Sequence, residues 1–334
     1  MNQIVYYLNS KYYKSNLNIN EVKLFDTKIK DKKVINFYIV GSSNNHYKNL
    51  LKKDITKLLR NKYNFNFTSN NPDYLIYDVF SCDHLESKYN KSIKIAFYTE
   101  NIIPDFSQAD YSIGFYNIHY LDRYFRKTTL IWIFQRRYLN IKNKIFERVR
   151  EKVCRRKIKK KFCAAVISNF KSSDGFRIKF INELSKYKSV DMGGSYKNNV
   201  GGNVKNKIKF LSSYKFSIAM ENSEGQGYVS EKILDSFIAG TIPIYYGGYM
   251  IDEFINPKSY ILIKNENDFL QKIEYIKKID NNDKLYKAIL NEKLFINDNL
   301  VKIFDIEKAE FFSHIFGQEK YKAKRIDNYH FKYR

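Results

Sequence analysis

Short apolar runs alternate with amphipathic stretches along most of the chain, and this alternation limits the fold more than any other feature of the sequence. In the first half, predicted strands lie at Val34–Val40, Tyr74–Phe80, Ile93–Thr99 and Tyr111–Phe115, and Leu51, Ile55, Leu58 and Leu59 mark one face of a predicted helix. Strands that alternate with helices are typical of an α/β fold with mostly parallel strands.

The same pattern returns in the second half of the chain. Predicted strands lie at Phe162–Ser168, Phe216–Met220, Ile242–Tyr246 and Tyr260–Ile263, and predicted helices lie at Glu231–Ala239, at Phe269–Ile279 and around Phe176, Phe180, Ile181 and Leu184. Gly240 stands where the glycine that ends a helix belongs. Ligands of open parallel sheets bind beyond the carboxyl ends of the strands, so we expect the chemistry there.

The length of 334 residues exceeds the size at which single hydrophobic cores usually stop growing, which favours two domains. We predict an N-terminal α/β domain over residues 1–155 and a C-terminal α/β domain over residues 156–305. The basic stretch Ile141–Lys161 is a predicted helix that bridges them. Residues 306–334 are predicted to form a C-terminal helix and a basic aromatic tail, and we expect the tail after Phe316 to be peripheral to either core.

The charge of the chain favours an anionic partner. There are 59 Lys and Arg residues against 35 Asp and Glu residues, a formal net charge of +24. Nucleic acid, an anionic membrane surface and a phosphorylated substrate all fit this charge. The basic residues are dispersed and no nucleic-acid-binding motif is present, so we expect no nucleic-acid partner, although the 29 Tyr residues leave a stacking nucleic-acid-binding protein as an alternative.

The cysteines and the N-terminal residues predict a cytoplasmic location. Cys82, Cys154 and Cys163 show neither a paired nor a metal-ligand spacing, which fits a reducing compartment. The first residues form neither a signal-peptide core nor an apolar span of about 20 residues. The basic tail Lys320–Arg334 adds an expectation of peripheral contact with an anionic membrane.

The segment Phe216–Gly248 carries the features of a phosphate-binding site. It is predicted to run as strand, glycine-containing loop, helix and strand. Gly225 and Gly227 let the backbone approach a ligand, Ser230 can cap the helix, and Lys232 adds a positive charge in its first turn. The segment matches neither a P-loop nor a dinucleotide fingerprint, so an ordinary capped loop is the alternative interpretation.

Two blocks of the sequence resemble the family-ten glycosyltransferases, the α1,3-fucosyltransferases of bacterial type. The block ENSEGQGYVSEKILDSFIAGTIPIYYG, which begins at Glu221, resembles the long donor-binding motif of that family. The block FYTENIIPDFSQADYSIGF at Phe97–Phe115, with DRYFR at Asp122–Arg126, resembles its acidic acceptor-side motif. The resemblance implies the GT-B architecture, two Rossmann-like domains facing a cleft, and GDP-fucose as donor substrate.

The resemblance also implies three catalytic residues. Glu100 matches the proposed general base, and Arg177 and Lys232 match the cations that contact the donor phosphates and stabilise departing GDP. Considered without the resemblance, Glu100 is a carboxylate that ends a strand and Arg177 is an exposed helical arginine. Family members commonly carry a glycine between the threonine and the glutamate of the acidic motif, whereas this chain has Thr99 directly before Glu100.

Further residues of the donor motif match the binding site for GDP-fucose. Glu231 falls where the ribose hydroxyls are held, with simple helix capping as the alternative. Asn222 and Tyr228, together with Arg177 and Lys232, match positions that line the nucleotide-sugar pocket. We assign no role to Glu221.

The reaction implied is inverting transfer of L-fucose to a hydroxyl, with O3 expected and O4 left open. The expected acceptor is N-acetylglucosamine or glucose in a glycan such as a lipopolysaccharide O-antigen. No Asp-x-Asp sequence occurs in the chain, so we predict no obligatory metal or other cofactor. A GT-B transferase for another nucleotide sugar is the main alternative, because phosphate-binding residues do not themselves read the sugar.

Overall fold

The computed structural model describes residues 29–41, 45–126, 161–168, 175–297 and 299–326. The chain divides into two compact units, the first formed by Met1–Lys127 together with Val301–Arg334 and the second by Thr128–Leu300. The predicted domain boundary at residue 155, Cys154 and nearly all of the predicted bridging helix lie outside the described residues. Those boundaries remain a prediction.

Strands and helices alternate in both units. The strands are β1 (Lys33–Val40), β2 (Tyr63–Phe67), β3 (Tyr74–Asp78), β4 (Ile93–Phe97), β5 (Tyr111–Gly114), β6 (Tyr124–Arg126), β7 (Lys161–Ala165), β8 (Val190–Met192), β9 (Tyr214–Met220), β10 (Ile242–Tyr246) and β11 (Ile261–Leu262). The α-helices are α1 (Asn45–Leu59), α2 (Phe176–Ser185), α3 (Lys207–Leu211), α4 (Lys232–Ile238), α5 (Phe269–Asp280), α6 (Asp283–Leu290), α7 (Leu300–Gly317) and α8 (Lys320–Ala323).

The two sheets share one strand order. The first sheet runs β2-β1-β3-β4-β5-β6 and the second β11-β10-β9-β7-β8, and the strand pairs within each are parallel. Counted from its own first strand, each sheet therefore begins 2-1-3-4-5. In this order the direction of winding reverses between the first and third strands, which opens a crevice at their carboxyl ends.

Aromatic side chains build the core of the first unit around α7. Phe316 packs edge-on against Tyr74, with ring centroids 4.8 Å apart, and against Tyr63 at 5.7 Å. Lys308, which is fully buried, pairs with Asp54 at 2.8 Å. A helix from the end of the sequence thus completes the core of a sheet that begins near residue 33.

The expectation that the tail after Phe316 is peripheral is wrong for its described part, residues 317–326. Ala323 is buried, and the backbone N–H groups of Arg325 and Ile326 both donate to one oxygen of Asp110, at 2.6 and 3.0 Å. Lys324 donates to the backbone carbonyl of Ser92 at 2.8 Å. The tail is held because the buried Asp110 carboxylate and the Ser92 carbonyl of the first unit accept its hydrogen bonds.

Glu307 on α7 faces a cavity of about 400 Å³ in the first unit. Tyr124, Phe125 and Phe311 contribute aromatic walls, and Glu310 adds a second carboxyl group. Burial, reinforced by the charge of Glu310, raises the pKa of Glu307 to about 8. None of the predicted site residues lines this cavity.

The core of the second unit lies between its sheet and the helices α2 and α5. Phe176 stacks on Tyr246 with ring centroids 3.9 Å apart, and both Phe176 and Phe180 meet Phe269 edge-on at 5.1 Å. Both helices carry apolar residues three and four positions apart, so one face of each is buried against the strands. Within the described ranges, no helix has the length and apolar content needed to cross a membrane.

Candidate active site

The predicted donor residues lie at the switch point of the second sheet. Arg177 lies in the first turn of α2, which follows β7, and Asn222 follows β9. Since β7 and β9 are the two strands between which the winding reverses, these residues flank the crevice where ligands of such sheets bind. The sheet topology therefore identifies the same place as the sequence motif.

Arg177 is buried and has a defined partner. Its side chain is 3% exposed, and Nη1 donates to Oδ1 of Asn222 at 2.6 Å. The interpretation of Arg177 as an exposed helical arginine is therefore wrong. A guanidinium held in this way keeps its planar set of donors fixed, as recognition of phosphate oxygens requires.

Lys232 is the first residue of α4 and is tied to the end of β9. Its Nζ donates to Oε2 of Glu221 at 2.6 Å and to Oγ of Ser230 at 3.0 Å. The Lys232 side chain is 21% exposed, whereas that of Glu221 is fully buried. The Lys232 side chain is therefore partly accessible, and its counter-charge is fully buried.

Ser230 caps the start of the helix at a long distance, because its Oγ accepts the backbone N–H of Lys232 at 3.4 Å. The helix begins at Lys232, and the residue before it, Glu231, makes no capping hydrogen bond with its side chain. The Ser230 hydroxyl also donates to Glu221 at 2.7 Å and accepts from the Lys232 ammonium group. The Ser230 hydroxyl thus contacts both the start of the helix and the Glu221–Lys232 pair.

Glycines let the loop before α4 close against the sheet. Gly227 has a φ of 86°, in the left-handed region that favours glycine. A Cβ on Gly248 would approach the carbonyl oxygen of Tyr228 to 2.6 Å, and the Gly248 N–H donates to that oxygen at 3.2 Å. Tyr228 is 5% exposed, so it supports the loop from within.

Glu100 lies in the first unit, three residues beyond Phe97, the last residue of β4, and its side chain is exposed. The Tyr98 hydroxyl accepts a hydrogen bond from the Asp105 N–H at 2.7 Å, which anchors the far end of the loop that carries Glu100. Burial raises the pKa of Tyr98, so this hydroxyl stays neutral. The Glu100 carboxylate thus faces solvent on a loop whose far end is anchored.

The structure brings five predicted residues to one edge of the second sheet: Arg177, Asn222, Tyr228, Glu231 and Lys232. Sequence reasoning gave no role to Glu221, which contacts Lys232, and it treated Ser230 only as a cap. The presence of ENS directly after a predicted strand was the available signal. Among the described residues, no group of three or more His, Cys, Asp or Glu side chains is placed to hold a metal ion.

Two parallel α/β units of one strand order, with cations at the carboxyl edge of the second, have the GT-B architecture found in glycosyltransferases. The chain belongs to glycosyltransferase family 10, the fucosyltransferases. The model of the family's C-terminal domain matches residues 156–298, and the model of the α-(1,3)-fucosyltransferase FucT N-terminal domain matches residues 35–134.

Individual relatives agree with this assignment. The α-(1,3)-fucosyltransferase FucT of Helicobacter pylori is 34% identical over 211 residues, which are 56% of this chain and 44% of that protein. The chain thus spans less than half the length of that relative. A crystal structure of an α1,3-fucosyltransferase matches with 25% identity and a TM-score of 0.68, covering 87% of this chain and 92% of the other.

An α1,3-fucosyltransferase crystallised with GDP-fucose is also similar to this chain. It matches with 25% identity and a TM-score of 0.65, covering 88% of this chain and 94% of the other. The predicted family and fold class are confirmed by these comparisons.

Proposed function

We propose that the protein transfers L-fucose from GDP-fucose to a glycan hydroxyl with inversion at the anomeric carbon. The observation that carries the proposal is the pair of cations, Arg177 and Lys232, held by the consecutive residues Asn222 and Glu221 at the switch point of the second sheet. The similarity to a fucosyltransferase crystallised with GDP-fucose supports the choice of donor.

The two cations suit a diphosphate leaving group. As the bond between fucose and phosphate breaks, negative charge accumulates on the departing GDP. Positive charges already fixed beside that position stabilise the transition state more than the ground state, so they accelerate the step. Arg177 offers a fixed fork of donors, and Lys232 offers a compact charge.

Glu100 is proposed as the general base. Its carboxylate takes the proton of the acceptor hydroxyl while the hydroxyl oxygen attacks the anomeric carbon from the face opposite GDP. Attack from that face inverts the configuration and needs no covalent enzyme intermediate. Its exposure at the carboxyl end of β4 leaves the carboxylate accessible to an acceptor. Proton transfer of this kind contributes about 10²–10⁴-fold to a rate.

The remaining predicted residues are proposed to bind the donor. Glu231, which directly precedes α4, accepts hydrogen bonds from the ribose hydroxyls. Asn222 orients Arg177, and Tyr228 supports the loop that closes over the nucleotide sugar. No metal ion is required in this scheme, because Arg177 and Lys232 supply the neutralising charge.

For the acceptor, we propose O3 of N-acetylglucosamine or glucose in a glycan such as a lipopolysaccharide O-antigen. This choice follows the family resemblance. We also propose a cytoplasmic protein whose basic tail, Lys320–Arg334, touches an anionic membrane and so brings the enzyme near lipid-linked acceptors. Residues 327–334 of this tail lie outside the described part of the chain.

The test is release of GDP from GDP-fucose with and without N-acetyllactosamine. The native chain, Glu100→Gln and Lys232→Ala are compared, with Glu86→Gln as a matched change of another exposed carboxylate in the first unit. We expect acceptor-dependent release by the native chain and Glu86→Gln, and a loss of about 100-fold or more in the other two variants.

Each other result has a defined meaning. Full activity of Glu100→Gln would move the base to another residue. Binding of GDP-fucose without turnover would make the acceptor assignment wrong, whereas preferential release from a different nucleotide sugar would make the donor assignment wrong. An activity lost in chelator and restored only by a divalent ion would contradict the metal-free scheme.

A further inference from the structure

Glu221 is a fully buried carboxylate beside the proposed donor site. Its Oε1 accepts the Ser230 N–H at 2.7 Å, and its Oε2 accepts the Ser230 hydroxyl at 2.7 Å and the Lys232 ammonium group at 2.6 Å. An ionised carboxylate taken out of water is costly unless it is paired and hydrogen-bonded. These three donors provide that pairing.

The surrounding backbone is shaped to admit this carboxylate. Gly247 follows β10 with a φ of 155°, and a Cβ at this position would lie 2.5 Å from Cγ of Glu221. The Glu221 N–H donates to the carbonyl oxygen of Tyr246 at 2.8 Å, which continues the pairing of β9 with β10. Glu221 is thus fixed by the sheet at its backbone and by the α4 loop at its side chain.

The Lys232 ammonium group has three N–H bonds. Two of them donate to Glu221 and Ser230, and the side chain is 21% exposed, which allows the third to meet a ligand. A free lysine side chain would lose rotamer entropy on binding a phosphate oxygen. Here that ordering is already present in the folded protein.

We propose that Glu221 is the positioning residue for Lys232, and that it orients one N–H of the ammonium group toward the donor diphosphate. Ser230 completes the arrangement by bridging both side chains. The neighbouring residue Asn222 does the same for Arg177, so two consecutive residues at the end of β9 hold both cations. This inference rests on the proposed function, since it assumes that Lys232 meets the diphosphate.

The chemistry of a carboxylate is specifically needed at this position. Both oxygens of Glu221 accept from N–H groups, those of the Ser230 backbone and the Lys232 ammonium. A glutamine amide has one acceptor oxygen, and its NH₂ group would face one of these donors. Glu221→Gln therefore keeps the side-chain volume and loses the orientation of Lys232.

The experiment is a double-mutant cycle on GDP affinity, measured by isothermal titration calorimetry. Native protein, Glu221→Gln, Lys232→Ala and the double variant are compared. Loss of a charge-assisted hydrogen bond predicts about tenfold weaker GDP binding for Glu221→Gln. In the Lys232→Ala background the same change is expected to alter affinity by less than about twofold, because coupled residues do not act additively.

A matched control separates positioning from general loosening of the unit. Asp235 lies on the same helix, is buried, and pairs with Lys207 at 3.0 Å. Asp235→Asn removes a buried carboxylate–lysine pair that does not involve Lys232, and we expect native GDP affinity. If Glu221→Gln does not fold, Ser230→Ala takes its place, with about threefold weaker binding expected only when Lys232 is present.

The outcomes distinguish this inference from the proposed function. No GDP binding by the native chain would overturn both. GDP binding that Lys232→Ala weakens and that Glu221→Gln leaves unchanged or tightens would overturn the positioning role alone. An equal loss on Glu221→Gln with and without Lys232, or the same loss in Asp235→Asn, would also overturn it, because the effect would then be structural.

Discussion

Two fully buried carboxylates, Asp110 in the first unit and Glu221 in the second, accept hydrogen bonds from different kinds of donor and have different roles. Asp110 immediately precedes β5, at the amino end of its strand, and accepts backbone N–H groups of Lys94, Arg325 and Ile326. Glu221 follows β9, at the carboxyl end, and accepts from Ser230 and Lys232.

The difference shows that the role of a buried carboxylate depends on whether it lies at the amino or the carboxyl edge of the sheet. At the amino edge, three backbone N–H groups donate to Asp110 and the Lys324 ammonium group lies 3.6 Å from its Oδ2, so this carboxylate holds the C-terminal segment in place. At the carboxyl edge, Glu221 lies under a cation that remains partly exposed. Open α/β sheets bind ligands at that second edge, and a charge placed there can act on a ligand.

The largest expected effect comes from Lys232→Ala. The change removes the cation from the buried Glu221, and breaking such a pair costs about 3–5 kcal/mol in the free energy of unfolding. Stability and donor binding should therefore fall together at this edge. Urea unfolding and GDP titration on one preparation measure both. A stable variant with weak GDP binding would show that Glu221 does not depend on Lys232.

Glu307 is a buried carboxyl group that, among the described residues, lacks the hydrogen-bond donors found around Asp110 and Glu221. Its Oε1 is buried and has no hydrogen-bond partner in the described part of the chain. Its pKa is raised from 4.5 to about 8, so the stability that its neutral form provides is present below about pH 4.5 and is lost as the pH rises through 8.

We therefore expect Glu307→Gln to match the native chain at pH 4.5 and to be more stable at pH 9. At about 1.4 kcal/mol per pKa unit, the gap at pH 9 is at most about 5 kcal/mol. Thermal unfolding of both proteins across this range is the measurement. A difference that does not change with pH would mean that Glu307 does not titrate differently in the folded and unfolded states.

Asp110→Asn should have a smaller effect that is confined to the first unit. An asparagine NH₂ group would face one of the backbone N–H groups that Asp110 now accepts, at a cost of about 2 kcal/mol. Hydrogen exchange should rise at Arg325 and Ile326, while GDP affinity stays at the native value. Weaker GDP binding in this variant would contradict the purely structural role given to the carboxylate at the amino edge.

The smallest change in stability is expected for Glu100→Gln. Its side chain is exposed at the loop after β4, and surface substitutions usually alter stability by less than about 0.5 kcal/mol. The same variant is expected to lose most of its transferase activity. A large loss of stability would instead indicate that Glu100 is a structural carboxylate, and its proposed role as base would then be wrong.

The elements predicted best from the sequence are those with consecutive apolar or aromatic residues, because such residues indicate burial. Ile242–Tyr246 is a strand at the predicted bounds, because five consecutive buried apolar or aromatic residues suit a central parallel strand. Three strands were missed. β2 (Tyr63–Phe67) has alternating asparagines and lies at a sheet edge, and β6 and β8 have three residues each, so their pairing with longer neighbours defines them.

The site was predicted from local motifs, and its missing parts depend on contacts over longer distances. Lys232 and Arg177 were identified by resemblance, but their partners are Glu221, eleven positions away, and Asn222, forty-five positions away. Burial of Arg177 could not be read from FRIKFINELS, where it looks like an ordinary helical cation. Only the folded structure shows which polar groups are close enough to form a hydrogen bond.

The return of α7 to the first unit has a consequence for biosynthesis. Phe312 and Phe316 belong to the aromatic core around Tyr63 and Tyr74, yet a ribosome makes them some 240 residues later. The second unit can therefore finish folding while the first still lacks its last helix. A nascent chain stalled before residue 300 would expose that aromatic surface, which favours chaperone binding at this stage of synthesis.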